Sequence, residues 1–388
     1  MVSNHPHKTC VNRCDISRRT MQHRTLQRRT LLGAGALLGM GALLSACAET
    51  KPSYTPDPSA SAYRPLNLHL HGVEDMPIIA AVYAQALIAV GYEVIIHTGT
   101  YSREEYTRAL QNSEETNTEG ASLDIVLDLS HDLLLESTQD AKLSPASIAS
   151  ERAAASASAS AEAAGVTLKP SPSVSTGPTP SASPSSSSAF NIRAMSSSDI
   201  INAIKRVLPE NISVQDALNA DFDEVLTVTS AFSTVSGINS LAQIADYPQA
   251  AGLRYELSSS YATSSYGMDA ITKAYKFTVG SVVNDSNPAD RVAAIISGSA
   301  QIAQLRSVDP AISDNLLVTL ADPQNIQMRQ QLLPLTRAQL PASARETIAK
   351  VSATLDNNNI TFLLRLTGGA NPVSTEDAAK FWLEHPRK

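Results

Sequence analysis

The first globular stretch of the chain alternates between the two spacings that apolar residues show in strands and in helices. Leucines alternate with polar residues over 66–70, which is the period of a β-strand. Apolar residues at helical spacing follow over 76–90, and Gly91 stands where a helix C-cap is expected. Further strands are predicted over 92–96 and 123–129. Strands separated by helices predict βαβ units and a parallel sheet.

A second block with the same alternation begins at Asp199. Apolar residues at helical spacing predict a helix that runs to Leu208, and the chain ends in helical segments after Ser343. The strands of this block are predicted over 225–229, 253–257, 277–283, 300–305 and 316–320. Two α/β blocks therefore share one chain, and no repeat of 20–50 residues is visible in the sequence.

Between the two blocks lies a segment dominated by Ser, Ala and Pro. The bias is strongest from Pro145 to Ser198, which contains the run SPSVSTGPTPSASPSSSS. Such a composition has too few large apolar side chains to form a core of its own. We therefore predict a disordered insertion over 136–198.

The N-terminal region has the pattern of an export signal with a lipid attachment site. Paired arginines at 28–29 precede an apolar run over 31–44, and Leu44-Ser45-Ala46-Cys47 follows. The run is shorter than the ~20 residues of a membrane span, which favours a cleaved signal peptide over the alternative, an uncleaved anchor. Its end resembles the lipobox of bacterial lipoproteins, and the arginines resemble a twin-arginine signal. We predict a signal peptide over 1–46, lipidation of Cys47 and a tether over 47–63.

Charge and cysteine content restrict the function classes. The 388-residue chain carries 30 Lys and Arg against 37 Asp and Glu, and the predicted signal peptide holds seven of those bases and one acid. The mature protein is therefore more acidic than the whole chain, which argues against nucleic acid as a partner. Two of the three cysteines, Cys10 and Cys14, precede the cleavage site. The mature chain thus has no disulfide framework and no cysteine-based metal site.

A series of short segments, in order along the chain, resembles a known family. The segments are 86–94, 124–132, 229–246, 271–275, 293–312 and the tail 348–384. Together they resemble the substrate-binding proteins of ABC importers for glycine betaine, choline and related osmoprotectants. The resemblance covers most of 66–135 and 199–385.

The resemblance implies a two-lobed α/β fold of the periplasmic-binding-protein type II, with the ligand between the lobes. The hinge crossings would fall near Val225 and Leu320. The first lobe would comprise 64–135 and 321–388, and the second lobe 199–320. The Ser/Ala/Pro insertion is additional to the family's pattern.

The ligand class that the resemblance implies needs aromatic faces. A quaternary ammonium group donates no hydrogen bond and is held by cation–π attraction, roughly 0.5–2 kcal/mol per ring. Val126 and Leu129 occupy two tyrosine positions of the family's pattern, so Tyr261 and Tyr266 are the candidates for a substitute cage. The alternative for both tyrosines is burial against the second lobe. Arg306 is a further candidate ligand contact, because arginine pairs with carboxylates.

The first lobe offers candidates where its predicted strands end. Asp75 follows the first strand, at the edge where open α/β sheets bind ligands, and helix capping is the alternative role. Asp128, Ser130 and His131 close the third strand at the same edge. The carboxylate and imidazole groups at this edge could also bind a metal ion. The histidines at 69, 71 and 97 are interpreted as structural. We predict no metal and no cofactor.

We therefore expect an extracytoplasmic, lipid-anchored solute-binding protein of an ABC importer. Its ligand is expected to be a quaternary ammonium osmoprotectant, its partners are permease subunits and the membrane at Cys47, and it is expected to be a monomer. The alternative is a cell-envelope lipoprotein that retains the fold as an interaction module without transport. Because G-x-S-x-G, H-E-x-x-H and phosphate-loop motifs are missing from the sequence, we do not expect an enzyme.

Overall fold

The computed structural model of the chain describes residues 54–112, 122–138, 195–284, 286–369 and 371–385. The predicted signal peptide, Cys47 and most of the predicted insertion lie outside these residues. None of the helices in the described ranges has the length and apolarity that crossing a bilayer requires.

In the described residues, ten strands form two five-stranded sheets, one in each of two lobes. The strands are β1 Leu66–Leu70, β2 Val94–His97, β3 Ile125–Leu129, β4 Ile212–Val214, β5 Glu224–Thr229, β6 Arg254–Leu257, β7 Ser281–Asn284, β8 Ile302–Arg306, β9 Leu317–Thr319 and β10 Leu332–Arg337. The first sheet has the order β2-β1-β3-β10-β4, and the second has the order β7-β6-β8-β5-β9. In each sheet three parallel strands are followed by an antiparallel one, β10 or β5. The α/β class predicted from the apolar spacing is confirmed.

Thirteen α-helices of the described residues cover the sheets. They are α1 Pro77–Val90, α2 Arg103–Gln111, α3 Ser130–Ser137, α4 Ser197–Val207, α5 Ser230–Ser236, α6 Leu241–Ile244, α7 Ser259–Thr263, α8 Met268–Tyr275, α9 Pro288–Ser297, α10 Pro310–Asp314, α11 Ala342–Thr354, α12 Asn357–Gly368 and α13 Thr375–Glu384. Helix α1 is apolar on nearly every face because it packs between the first sheet and helices α11 and α13. It ends at Gly91, whose φ of +116° suits a residue without Cβ.

Within the ranges that the structure describes, the chain crosses between the sheets twice. Residues 215–223 lead from β4 to β5, and residues 320–331 lead from β9 to β10. The two crossings pair with each other: the amide of Phe222 donates to the carbonyl of Gln330 at 2.7 Å, and the amide of Gln330 donates to the Asp223 carboxylate at 2.7 Å. Paired crossings of this kind form a hinge, and they lie beside the positions proposed from the sequence.

The lobe boundary differs in one respect from the sequence-based assignment. The sequence predicts a second lobe over 199–320, but β4 pairs with β10 in the first sheet and α4 packs in the core of the first lobe. The physical reason is long-range: three residues of β4 find their hydrogen-bond partners more than 100 positions away, at Leu335 to Arg337. The second lobe accordingly begins at Glu224.

Candidate functional site

A cavity of about 210 Å³ lies between the two lobes. Its described lining comes from both: Gly72, Glu74, Asp75 and Met76 from the first lobe, and Glu224, Ser258, Ser260, Pro288, Arg291, Gln304, Arg306 and Asp309 from the second. Most of these residues follow the carboxyl ends of parallel strands β1, β6, β7 and β8, or lie on β8 itself. That edge is where open α/β sheets place their ligands, because the loops after parallel strands converge there.

The cavity lining is strongly charged. Four carboxylates, those of Glu74, Asp75, Glu224 and Asp309, face two guanidinium groups, those of Arg291 and Arg306. No aromatic residue is among the described residues that line it. The cavity therefore carries an excess of negative charge and is suited to a ligand with a positive group.

Arg306 connects the two lobes across this cavity. Its Nη2 lies 3.1 Å from Oε1 of Glu224 and donates to the carbonyl of Gly72 at 2.7 Å. Burial raises the pKa of Glu224, and the adjacent Arg306 charge opposes that shift. The amide of Gln304 also donates to Glu224. Glu224 is thus already neutralised by its neighbours, which leaves the other carboxylates of the cavity for a ligand.

Arg291 is held differently. It lies on α9, is only 5% exposed, and donates to the carbonyls of Gln304 and Ser286. Burial lowers its pKa, although the nearby charge of Glu224 opposes this. Both described hydrogen bonds of the guanidinium go to backbone carbonyls, so its charge remains available to an anionic group in the cavity.

The two tyrosines proposed for the cage lie together in the second lobe. Their rings meet edge to face with centroids 6.3 Å apart, and they are 2% and 9% exposed. Tyr261 accepts a hydrogen bond from the Gln327 side chain at 3.0 Å, and Tyr266 donates to Asp132 of the first lobe at 3.3 Å. Burial raises the pKa of both phenols, and the charge of Glu224 adds to the effect. The pair is therefore packed in the core beside the charged wall of the cavity.

Two of the candidates at the end of β3, Asp128 and Ser130, already accept hydrogen bonds from neighbouring residues. The Asp128 carboxylate accepts two hydrogen bonds from Arg103, at 2.8 and 2.9 Å, and one from Tyr106 at 2.5 Å. Ser130 accepts from the amide of Gln331 at 3.2 Å. Burial lowers the pKa of His131 to about 4, so the buried ring is neutral near pH 7.

The structure thus brings two of the proposed ligand contacts, Asp75 and Arg306, to the cavity, and places the tyrosine pair beside it. Asp128, Ser130 and His131 are not among the residues that line it. Sequence reasoning missed Glu224, Arg291 and Asp309. Asp309 carried a weak signal, since Asp before Pro is a typical helix start, and it caps α10 at Ala311. Glu224 and Arg291 carried none.

Comparison with known proteins identifies the family. A family model described as the substrate-binding domain of the ABC-type glycine betaine transport system matches residues 179–385. The chain belongs to this family. It is accordingly a substrate-binding protein of ABC transport and not an enzyme, and the family acts outside the cytoplasm. Proteins of this family bind small molecules and interact with ABC permeases.

Solved structures support the fold. A glycine betaine/carnitine/choline ABC transporter structure is 13% identical, with a TM-score of 0.57 over 82% of this chain and 97% of that one. Apo YehZ from Escherichia coli is 15% identical, with a TM-score of 0.53 over 83% of this chain and 98% of that one. The predicted type II periplasmic-binding-protein fold is confirmed. A comparison with curated protein sequences finds no match.

Proposed function

We propose that this substrate-binding protein is anchored through Cys47 and delivers a small quaternary ammonium osmoprotectant, of the glycine betaine or choline kind, to an ABC permease. The observation that carries the proposal is the charged cavity between the lobes, with its excess of carboxylates. Its volume of about 210 Å³ is below the roughly 300–1,000 Å³ of pockets for drug-sized ligands. A ligand with few heavy atoms fits this size.

The two signs of charge in the cavity suit a zwitterion. Asp75 and Glu74 come from the first lobe, whereas Arg291 and Arg306 come from the second. A trimethylammonium group would lie towards the carboxylates, because it needs negative potential and no hydrogen-bond acceptor. A ligand carboxylate would lie towards the guanidinium groups, which donate hydrogen bonds to it. Choline has no carboxylate and would use only the acidic half.

The tyrosine pair is proposed as the aromatic part of the same site. Tyr266 reaches Asp132 across the cleft, so opening the lobes breaks that hydrogen bond and uncovers the ring. Tyr261 packs on its inner side and would form the second face. Each ring facing an ammonium group would contribute roughly 0.5–2 kcal/mol of binding free energy.

Titration calorimetry of the purified chain with glycine betaine and with choline, in buffer containing EDTA, tests the proposal. We expect dissociation constants in the micromolar range or weaker. Asp75→Asn should weaken both ligands, whereas Arg291→Lys should weaken glycine betaine more than choline, because only the former carries a carboxylate. Glu346→Gln, an exposed helix residue remote from the cavity lining, is the matched control.

Two results would contradict the proposal. No heat with either ligand at millimolar concentration would contradict the ligand class and favour the alternative, an envelope lipoprotein that uses the fold as an interaction module. Binding that survives both Asp75→Asn and loss of the tyrosine pair would place the ligand elsewhere.

A further inference from the structure

Two histidines and a glutamate meet at the carboxyl end of β1. His69 lies on β1, His71 directly follows it, and Glu74 lies in the loop that leads to α1. One possible ligand atom from each lies within 4.8 Å of those of the other two. Residues two apart on an extended chain share a face, which is why both imidazoles point the same way.

The hydrogen bonds of His69 prepare its second ring nitrogen for a metal ion. Its Nδ1 lies 3.1 Å from the carbonyl oxygen of His97, and a carbonyl only accepts, so Nδ1 carries the proton. The neutral ring then has its lone pair on Nε2. In metal-binding histidines, the ring nitrogen that does not bind the metal usually donates to a carboxylate or a backbone carbonyl, as Nδ1 does here.

The free nitrogen of His69 is buried and has no other role in the described part of the chain. The residue is 1% exposed, and Nε2 has no hydrogen-bond partner among the described residues. Nδ1 of His71 is also buried and has no hydrogen-bond partner among the described residues. Buried polar atoms are rarely left unpaired, because the loss of hydrogen bonds to water costs free energy. Two such atoms side by side are suited to binding a ligand.

Glu74 completes the set. Its Oε1 lies 3.7 Å from Nδ1 of His71 and accepts a hydrogen bond from the amide of Gly72 at 2.9 Å. Two ligands about 2.1 Å from one ion lie at most about 4.2 Å apart. The His71–Glu74 separation already satisfies this limit. The Glu74 side chain is half exposed, so it can adjust its position without repacking the core.

We propose that His69, His71 and Glu74 bind a divalent transition-metal ion of the zinc type. Imidazole and carboxylate donors suit this class of ion better than Mg²⁺ or Ca²⁺, which prefer all-oxygen sites. Three protein ligands leave one position of a tetrahedral ion open. Because Glu74 also lines the interlobe cavity, the ion lies at the rim of that cavity.

Metal binding by the chain is the test. The tag-free full chain, with Cys10, Cys14 and Cys47 changed to Ser so that thiols do not compete, is stripped with EDTA and dialysed against Zn²⁺. The same protein is titrated with Co²⁺, whose visible absorption reports nitrogen and oxygen ligation. We expect one site that is weakened at least tenfold by His71→Ala and by Glu74→Gln. Glu74→Gln should unfold like the parent in EDTA, because Glu74 is half exposed and glutamine can still accept from the amide of Gly72. His71→Ala also removes an edge-to-face contact with Tyr106, so its metal affinity is compared in protein shown to be folded.

The controls are His385→Gln and Glu346→Gln, which remove an exposed imidazole and an exposed carboxylate far along the chain. They should leave metal affinity unchanged, which shows that the loss in His71→Ala and Glu74→Gln is specific to this site. The proposal is overturned if the parent binds no Zn²⁺ or Co²⁺, or if the His71→Ala, Glu74→Gln double variant binds as the parent does. Since the calorimetry with glycine betaine is done in EDTA, failure of one proposal is distinguishable from failure of the other.

Discussion

The contacts of Asp128 allow a quantitative prediction that separates a structural role from a ligand-binding role. Its carboxylate is fully buried and accepts a bidentate pair of hydrogen bonds from Arg103. Removing one partner of a buried ion pair costs about 3–5 kcal/mol, because the other charge is left unpaired. In Asp128→Asn, Arg103 retains Glu136, whose carboxylate lies 2.7 Å away. We therefore expect the low end of the range, about 3 kcal/mol of unfolding free energy.

Urea denaturation measures this loss. With an m-value of about 2–3 kcal/mol/M, the midpoint should fall by roughly 1–1.5 M while m stays constant. The matched control is Glu104→Gln, which breaks the exposed pair with Arg108 and should cost less than about 0.5 kcal/mol. Affinity for glycine betaine should not change in folded Asp128→Asn. The reasoning is refuted if the variant loses less than about 1 kcal/mol, or if it loses ligand affinity with unchanged stability.

Other perturbations probe the anchor, the insertion, the core and the hinge. Cys47→Ser should prevent acylation, and fractionation of cells should then find the protein released or uncleaved; processed protein that stays in the membrane would count against the lipid anchor. Removing 145–194, which keeps Met195 and the Ser196 cap of α4, should leave the melting temperature nearly unchanged, because a Ser- and Pro-rich segment buries little. Tyr275→Ala should cost about 3 kcal/mol or more in urea unfolding, because the ring is buried in the second lobe. Burial raises the pKa of Asp223 from 3.8 to about 6. The folded hinge therefore retains a proton that the unfolded chain releases, and stability should fall as pH rises from about 4 to 6; Asp223→Asn should flatten this dependence in urea midpoints.

Local spacing was sufficient for much of the fold. The leucine alternation over 66–70 predicts β1, and the helical spacing of apolar residues before Gly91 predicts α1. Both elements bury apolar side chains whose spacing can be read directly from the sequence. Strand β10 was not predicted. It contains Pro334, which lacks an amide proton and argues against a central strand. The structure nevertheless places it between β3 and β4, where the Pro334 carbonyl accepts from the amide of Gln215.

The candidate site was also predictable only in part from the sequence. The sequence by itself indicated the edge of the sheet where Asp75 lies, since the loops after parallel strands meet there whatever their residues. Only the tertiary structure decided that Glu224 and Arg291, from distant parts of the chain, line the same cavity. It also decided that Asp128 is paired with Arg103, and that His69 and His71 share a face with Glu74. These outcomes depend on contacts between residues far apart in sequence. The local spacing of apolar residues contains no information about which distant charged residue a side chain will contact.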